Sequence, residues 1–218
     1  MASAVRATSA WRGPARAVVW LLLGLALSAP GSAPAAQTIL IFGDSLSAAY
    51  GIAQSSGWVS LLEKRLKQDR LDYSVVNASI AGETTSGGLA RIGRLLSRQR
   101  PAVVIVQLGA NDGLRGLPVS EMRNNLAAMV KGARQSGAKV LLVGMRMPPN
   151  YGAPYTRDFE AAFREVAKRE RVRLVPFLLE GIADRQELFQ PDTIHPVAAA
   201  QPALLDNVWK ELRVLLRP

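Results

Sequence analysis

The chain is expected to fold as an α/β protein, a three-layer α/β/α sandwich on a five-stranded parallel sheet. Two observations predict it. Short apolar runs rich in β-branched residues recur at 38–42, 73–76, 102–108, 140–143 and, more briefly, 172–175. Helix-like segments alternate with them, and no internal repeat or domain linker interrupts the series. Continuous apolar runs bounded by turn residues suit strands buried on both faces. Strands alternating with helices imply parallel order with helices on either side.

The elements follow in order. Run 38–42 closes on Gly43-Asp44-Ser45, a turn signal. Residues 58–68 put Trp58, Leu61, Leu62 and Leu66 at helical spacing. A second helix is expected over 86–97, a third over 120–135 opening at Ser120 and Glu121, and a fourth over 156–170 opening at Thr156 and Asp158. The last segment, 196–216, predicts a long helix with Leu204, Leu205, Val208, Leu212 and Leu215 on one stripe and Pro196 as its first residue. Gly132 and Pro202 interrupt the helical patterns locally.

Residues 1–36 read as a cleaved export signal. Arg6, Arg12 and Arg16 give a basic start without acids, 18–27 is apolar and uncharged, and Ala33-Pro34-Ala35-Ala36 supplies small residues for cleavage after Ala35 or Ala36. The apolar run falls short of the roughly 20 residues a membrane span needs, so no stable insertion is expected after cleavage. Residues 37–218 then form a single domain with a sizeable core. The chain carries 27 basic and 17 acidic residues, and the leader removes three arginines and no acid. The remaining positive charge is scattered at helical spacing without interleaved aromatics, which argues against a nucleic-acid surface. Cysteine is absent and histidine occurs once, which excludes disulfides and a thiol nucleophile and argues against a zinc site. No cofactor is expected. No long exposed apolar seam asks for a partner, so a monomer is expected.

Three polar clusters end the first three strands: Gly43–Ser45, Asn77–Gly82 and Gly109–Asp112. In open parallel sheets ligands bind beyond the carboxyl ends of the strands, so these clusters share one rim. Ser45 is the candidate nucleophile. The lone His195 is the candidate base, because serine is weak until a base takes its proton. Asp192, three residues earlier, is placed to fix the imidazole tautomer. Gly82, with an unobstructed N–H, and Asn111, with a side-chain amide, are candidate oxyanion donors beside the Ser45 N–H. On chemistry alone, Gly82 is equally a turn glycine and Asn111 equally an Asx-turn residue. Asp44 and Asp112 are expected to brace the rim loops.

Gly43-Asp44-Ser45-Leu46-Ser47, Asn77-Ala78-Ser79-Ile80-Ala81-Gly82, Gly109-Ala110-Asn111-Asp112-Gly113 and Asp192-Thr193-Ile194-His195-Pro196 resemble, in order, the four blocks of the SGNH (GDSL-type) hydrolases. Asn111-Asp112-Gly113-Leu114-Arg115-Gly116 and Pro148-Pro149-Asn150-Tyr151-Gly152 are similar to a bacterial periplasmic subgroup acting as thioesterases, lysophospholipases and arylesterases. The resemblance implies a flavodoxin-like sheet of order 2-1-3-4-5, a triad of Ser45, Asp192 and His195, and an oxyanion hole of Ser45, Gly82 and Asn111. It implies a small acyl ester or lysophospholipid as substrate, in the periplasm or secreted. Segment 145–155 is expected to be a mobile loop over the site, whose Met145, Met147, Tyr151 and Tyr155 either line an acyl groove or serve ordinary loop packing. A carbohydrate O-acetylesterase using the same residues, and a binding module with a vestigial triad, are the rival readings.

Overall fold

The computed structural model describes residues 1–4 and 36–216. Residues 5–35, which hold most of the expected export signal, lie outside the described residues. Of the unit Met1–Ala35, the four described residues carry no secondary structure.

In the unit Ala36–Pro218, five strands run parallel: β1 (Gln37–Gly43), β2 (Tyr73–Asn77), β3 (Val103–Gln107), β4 (Lys139–Val143) and β5 (Arg173–Val175). Their order is β2-β1-β3-β4-β5, as expected. β1 lies between two partners with Ile39 aligned to Val75 on one side and Val103 on the other. Its residues Ile39, Leu40, Ile41 and Phe42 are fully buried, which explains the run without alternation.

The helices form the outer layers. α1 (Trp58–Gln68) packs with α6 (Gln201–Leu212), whereas α2 (Thr85–Gln99), α4 (Val119–Gln135) and α5 (Ala153–Glu170) pack together. A short α3 (Ala110–Leu114) follows β3 directly. The helix α1 matches its predicted limits. Thr84 caps α2, its hydroxyl accepting the Gly87 N–H at 3.3 Å, the expected use of a threonine at a helix start.

The last helix differs most from expectation. Pro196 pairs with Phe189 in an isolated antiparallel bridge, and the Val197 N–H donates to Leu188 O at 2.9 Å. These bonds join the two ends of the turn at 190–195 and claim the backbone of 196 and 197, so α6 begins five residues later than predicted. Pro202, read as an interruption, lies in the first turn of α6, where its missing N–H costs no bond. Likewise α5 begins at Ala153, with Pro154 in its first turn, rather than at Thr156.

Trp58 ties the core to the rim. It is fully buried, its Nε1 donates to Leu46 O at 3.1 Å, and its N–H donates to Gln201 Oε1 at 3.0 Å. Trp58→Ala is expected to cost about 3–5 kcal/mol in denaturant unfolding, as a large cavity opens in the core. Trp58→Phe is expected to cost less, since it keeps most of the buried area and loses the indole donor.

Candidate active site

β1 ends at Gly43 and the chain turns at once. The Ser47 and Ala48 N–H groups both donate to Asp44 O, at 3.1 and 3.0 Å, which lifts Ser45 to the sheet rim. The turn rests on a buried polar network. Gln107, the last residue of β3, donates from Nε2 to Asp44 Oδ1 at 3.0 Å and accepts the Ser47 hydroxyl at 2.6 Å. The Leu46 N–H also donates to Asp44 Oδ1, at 3.0 Å. A Cβ on Gly43 would stand 2.7 Å from Gln107 Oε1 and 2.8 Å from Ser47 Oγ. Glycine is therefore required there for close approach.

His195 reaches Ser45 across 150 residues of sequence, with Nε2 2.9 Å from Oγ. Its Nδ1 lies 2.7 Å from Asp192 Oδ2. Asp192 Oδ1 meanwhile accepts the N–H groups of Ile194 and His195, each at 2.9 Å. Thr193 takes the left-handed conformation, φ 57°, that lets the chain fold back on the carboxylate. For a β-branched residue this is a strained geometry. The His195 N–H above all, then its imidazole and the Ile194 N–H, hold the Asp192 carboxyl down at about 2. It is thus ionised throughout the neutral range and ready to orient an imidazole.

The other two clusters close around the same point. The Ile80 N–H donates to Gly43 O at 3.0 Å, which sets the loop after β2 beside the nucleophile turn. Gly82 adopts φ 77° and is exposed. Asn111, on α3, donates its amide to Glu83 O at 3.0 Å, and Arg115 donates to Gly82 O at 3.0 Å. Among the described residues, no acceptor takes the N–H of Ser45 or of Gly82. Both donors are therefore open to an incoming acceptor. Asp112 braces this corner, accepting the Thr85 N–H at 2.9 Å and the Thr85 hydroxyl at 2.5 Å. Glu83 pairs with Arg91 at 2.6 Å, and the Arg91 guanidinium covers the Phe42 ring at 4.1 Å.

Segment 145–155 is not an open loop across the site. Met145 and Met147 are buried in the core, residues 149–151 make a 3-10 turn, and α5 begins at Ala153. Tyr151 and Tyr155 are half-buried, and their hydroxyls donate to Leu114 O at 3.2 Å and Leu117 O at 2.9 Å. Met147, whose sulfur lies against Gly113, and the two tyrosine hydroxyls therefore back the segment 111–117 that carries Asn111.

Sequence reasoning left Gln107 unused, although a lone amide ending an apolar strand is a readable signal of a buried polar role. It also left Gln190 and Tyr50. Gln190 Nε2 donates to Tyr50 O at 2.9 Å and its N–H donates to His195 O at 2.8 Å, joining the histidine loop to the nucleophile turn.

Asp44 is fully buried, and its Oδ2 meets no partner among the described residues. Burial pushes its carboxyl up from 3.8 to about 6, against the opposing Leu46 N–H, Gln107 amide and His195. The folded state therefore holds a proton that the unfolded chain releases between about pH 4 and about pH 6. This contribution to stability is full at the acid end of that window and is lost as pH rises through it. Asp44→Asn is expected to remove that slope from denaturation midpoints measured over the window; an unchanged slope would place its source elsewhere.

Residues 41–202 match the GDSL-like lipase/acylhydrolase family. The chain is 53% identical to the esterase TesA of Pseudomonas aeruginosa over 182 residues, covering 84% of this chain and 90% of that protein. It is 40% identical to the thioesterase 1/protease 1/lysophospholipase L1 of Escherichia coli over 184 residues, covering 84% and 87%. The crystal structure of TesA superposes with a TM-score of 0.81 at 53% identity, covering 83% of this chain and 100% of that one. With sheet order, motif blocks and relatives in agreement, the chain belongs to the GDSL-like lipase/acylhydrolase family and is a serine esterase of the GDSL type.

Proposed function

We propose that the protein hydrolyses acyl esters and thioesters through an acyl-enzyme on Ser45. The observation that carries this is the continuous hydrogen-bonded line from Asp192 through His195 to Ser45 Oγ. His195 Nε2 takes the Ser45 proton as Oγ attacks the acyl carbonyl. The Ser45 and Gly82 N–H groups and the second amide proton of Asn111 hold the resulting oxyanion, while Glu83 O fixes the Asn111 amide. The intermediate expels the alcohol or thiol, which leaves with the proton from His195. Water, activated by the same imidazole, then releases the acid.

The substrate range we propose is aryl esters, acyl thioesters and lysophospholipids, supported by the 40% identity to a thioesterase and lysophospholipase. We propose also that the protein acts after export, supported by the basic start and apolar run of residues 1–36. No helix among the described residues is long and apolar enough to cross a membrane.

A hydrolysis panel on the protein lacking residues 1–36 tests the reading. It varies acyl length, oxygen against sulfur, and head group. Turnover of medium and long acyl chains supports it. Activity confined to acetyl groups on polysaccharide favours the carbohydrate esterase. If Tyr151 and Tyr155 bound the acyl chain, truncating either would shift the chain-length profile.

A further inference from the structure

The wall beside the imidazole has no part in the steps above. Ala49 adopts φ 57° and Gly51 φ 73°, so two left-handed residues flank Tyr50 and turn it outward from the nucleophile turn. Gln190 fastens that turn to the histidine loop through its bond to Tyr50 O. The Tyr50 ring then stands with its centroid 4.4 Å from that of His195, tilted by 39°. It is nevertheless 52% exposed, and Ile194, next to the histidine, is 42% exposed. An aromatic ring held on a strained turn with half its surface in water is placed to meet something other than the core.

The reaction decides which part of a substrate meets it. When the tetrahedral intermediate collapses, the bond from the carbonyl carbon to the leaving oxygen breaks. The electron pair stays on that oxygen, which takes the proton from His195 Nε2. The leaving atom must therefore lie within hydrogen-bond reach of Nε2. The oxyanion points instead to Gly82 and Asn111. The group carried by the leaving oxygen thus extends past His195, where Tyr50 stands.

We propose that Tyr50 forms a leaving-group subsite that takes the alcohol portion of esters whose alcohol is aromatic or otherwise flat and apolar. This rests on the acyl-enzyme reading. Offset or tilted stacking on the Tyr50 ring adds to the apolar area removed from water.

Acylation and deacylation separate this role from mere support of His195. The leaving group is present in the first step and gone before the second. Butyryl-enzyme formed from phenyl butyrate is the same species as that formed from methyl butyrate. Rapid-mixing kinetics with both esters would therefore be compared for the wild type, Tyr50→Ala and Tyr50→Phe. Tyr50→Ala is expected to lower the acylation kcat/KM for phenyl butyrate about tenfold. Its value for methyl butyrate and its deacylation rate should stay near wild type, and Tyr50→Phe should behave like wild type with both esters. Equal losses for the two esters, a slower deacylation, or an unaffected phenyl ester would each overturn the proposal. A wild type that accumulates no acyl-enzyme and incorporates no butyryl group at Ser45 would instead overturn the reading beneath it.

Discussion

Ser45→Ala is expected to lower kcat for a p-nitrophenyl ester by roughly 10⁶-fold while leaving the fold unchanged. The size follows from what the hydroxyl does. In the proposed reaction it is the atom that bonds to the acyl carbon, and neither His195 nor the proposed oxyanion donors offer a substitute nucleophile. Ser45 is almost buried, and its Oγ contacts His195 Nε2. Its removal leaves the Asp44–Gln107–Ser47 network intact, because that network holds the turn through neighbouring residues. Denaturation midpoints of variant and wild type should therefore agree closely. Wild-type turnover in the variant would remove Ser45 from the chemistry.

Asn111→Ala is expected to lower kcat by about 10²–10³-fold, or about 2.7–4 kcal/mol, with little change in KM. The asymmetry comes from timing. The ground-state carbonyl is neutral, and the charge that the amide meets exists only in the tetrahedral state. Glu83 O takes one amide proton and directs the side chain along the Gly82 segment, at 3.0 Å. The remaining proton is then already aimed when charge develops, so no reorganisation is needed. Steady-state kinetics over several acyl chains checks this. A raised KM with unchanged kcat would make Asn111 a substrate-binding group instead.

The sheet was readable because its strands are buried on both faces. Runs such as 103–107 carry no competing period, and the three polar clusters that end β1, β2 and β3 pointed to one rim before any contact was known. Parallel order makes that inference strong, since all carboxyl ends face the same way. The hydrogen-bonded line of Asp192, His195 and Ser45 was readable because Asp192 and His195 are close in sequence and the chain has one histidine.

What escaped depends on long-range closure. Gln107 stands in an apolar run, and its role exists only because Asp44 and Ser47 come to lie over the end of β3. The start of α6 was misplaced because Pro196 suits a first helical turn locally. The bridge to Phe189 claims that stretch of backbone instead, a contact that helical periodicity does not reveal. The left-handed turns at Ala49 and Thr193 were equally invisible, since neither residue type favours positive φ. Both flank the catalytic contacts, so the strain sits where tertiary bonds over-determine the chain. The order of segment 145–155, expected as an open loop, escaped for a related reason. Its methionines and tyrosines are the residues of a groove wall and also those of a packed core. The tyrosine hydroxyl bonds to Leu114 O and Leu117 O, which fasten the segment, are tertiary contacts that composition does not reveal.

Labelling by a fluorophosphonate, followed by mapping of the modified peptide, bears most directly on whether an imidazole activates the serine hydroxyl. One adduct should form, on Ser45, and His195→Ala should slow its formation by several orders of magnitude in a protein that remains folded. Modification at another residue, or a His195→Ala protein labelled as fast as the wild type, would contradict the account.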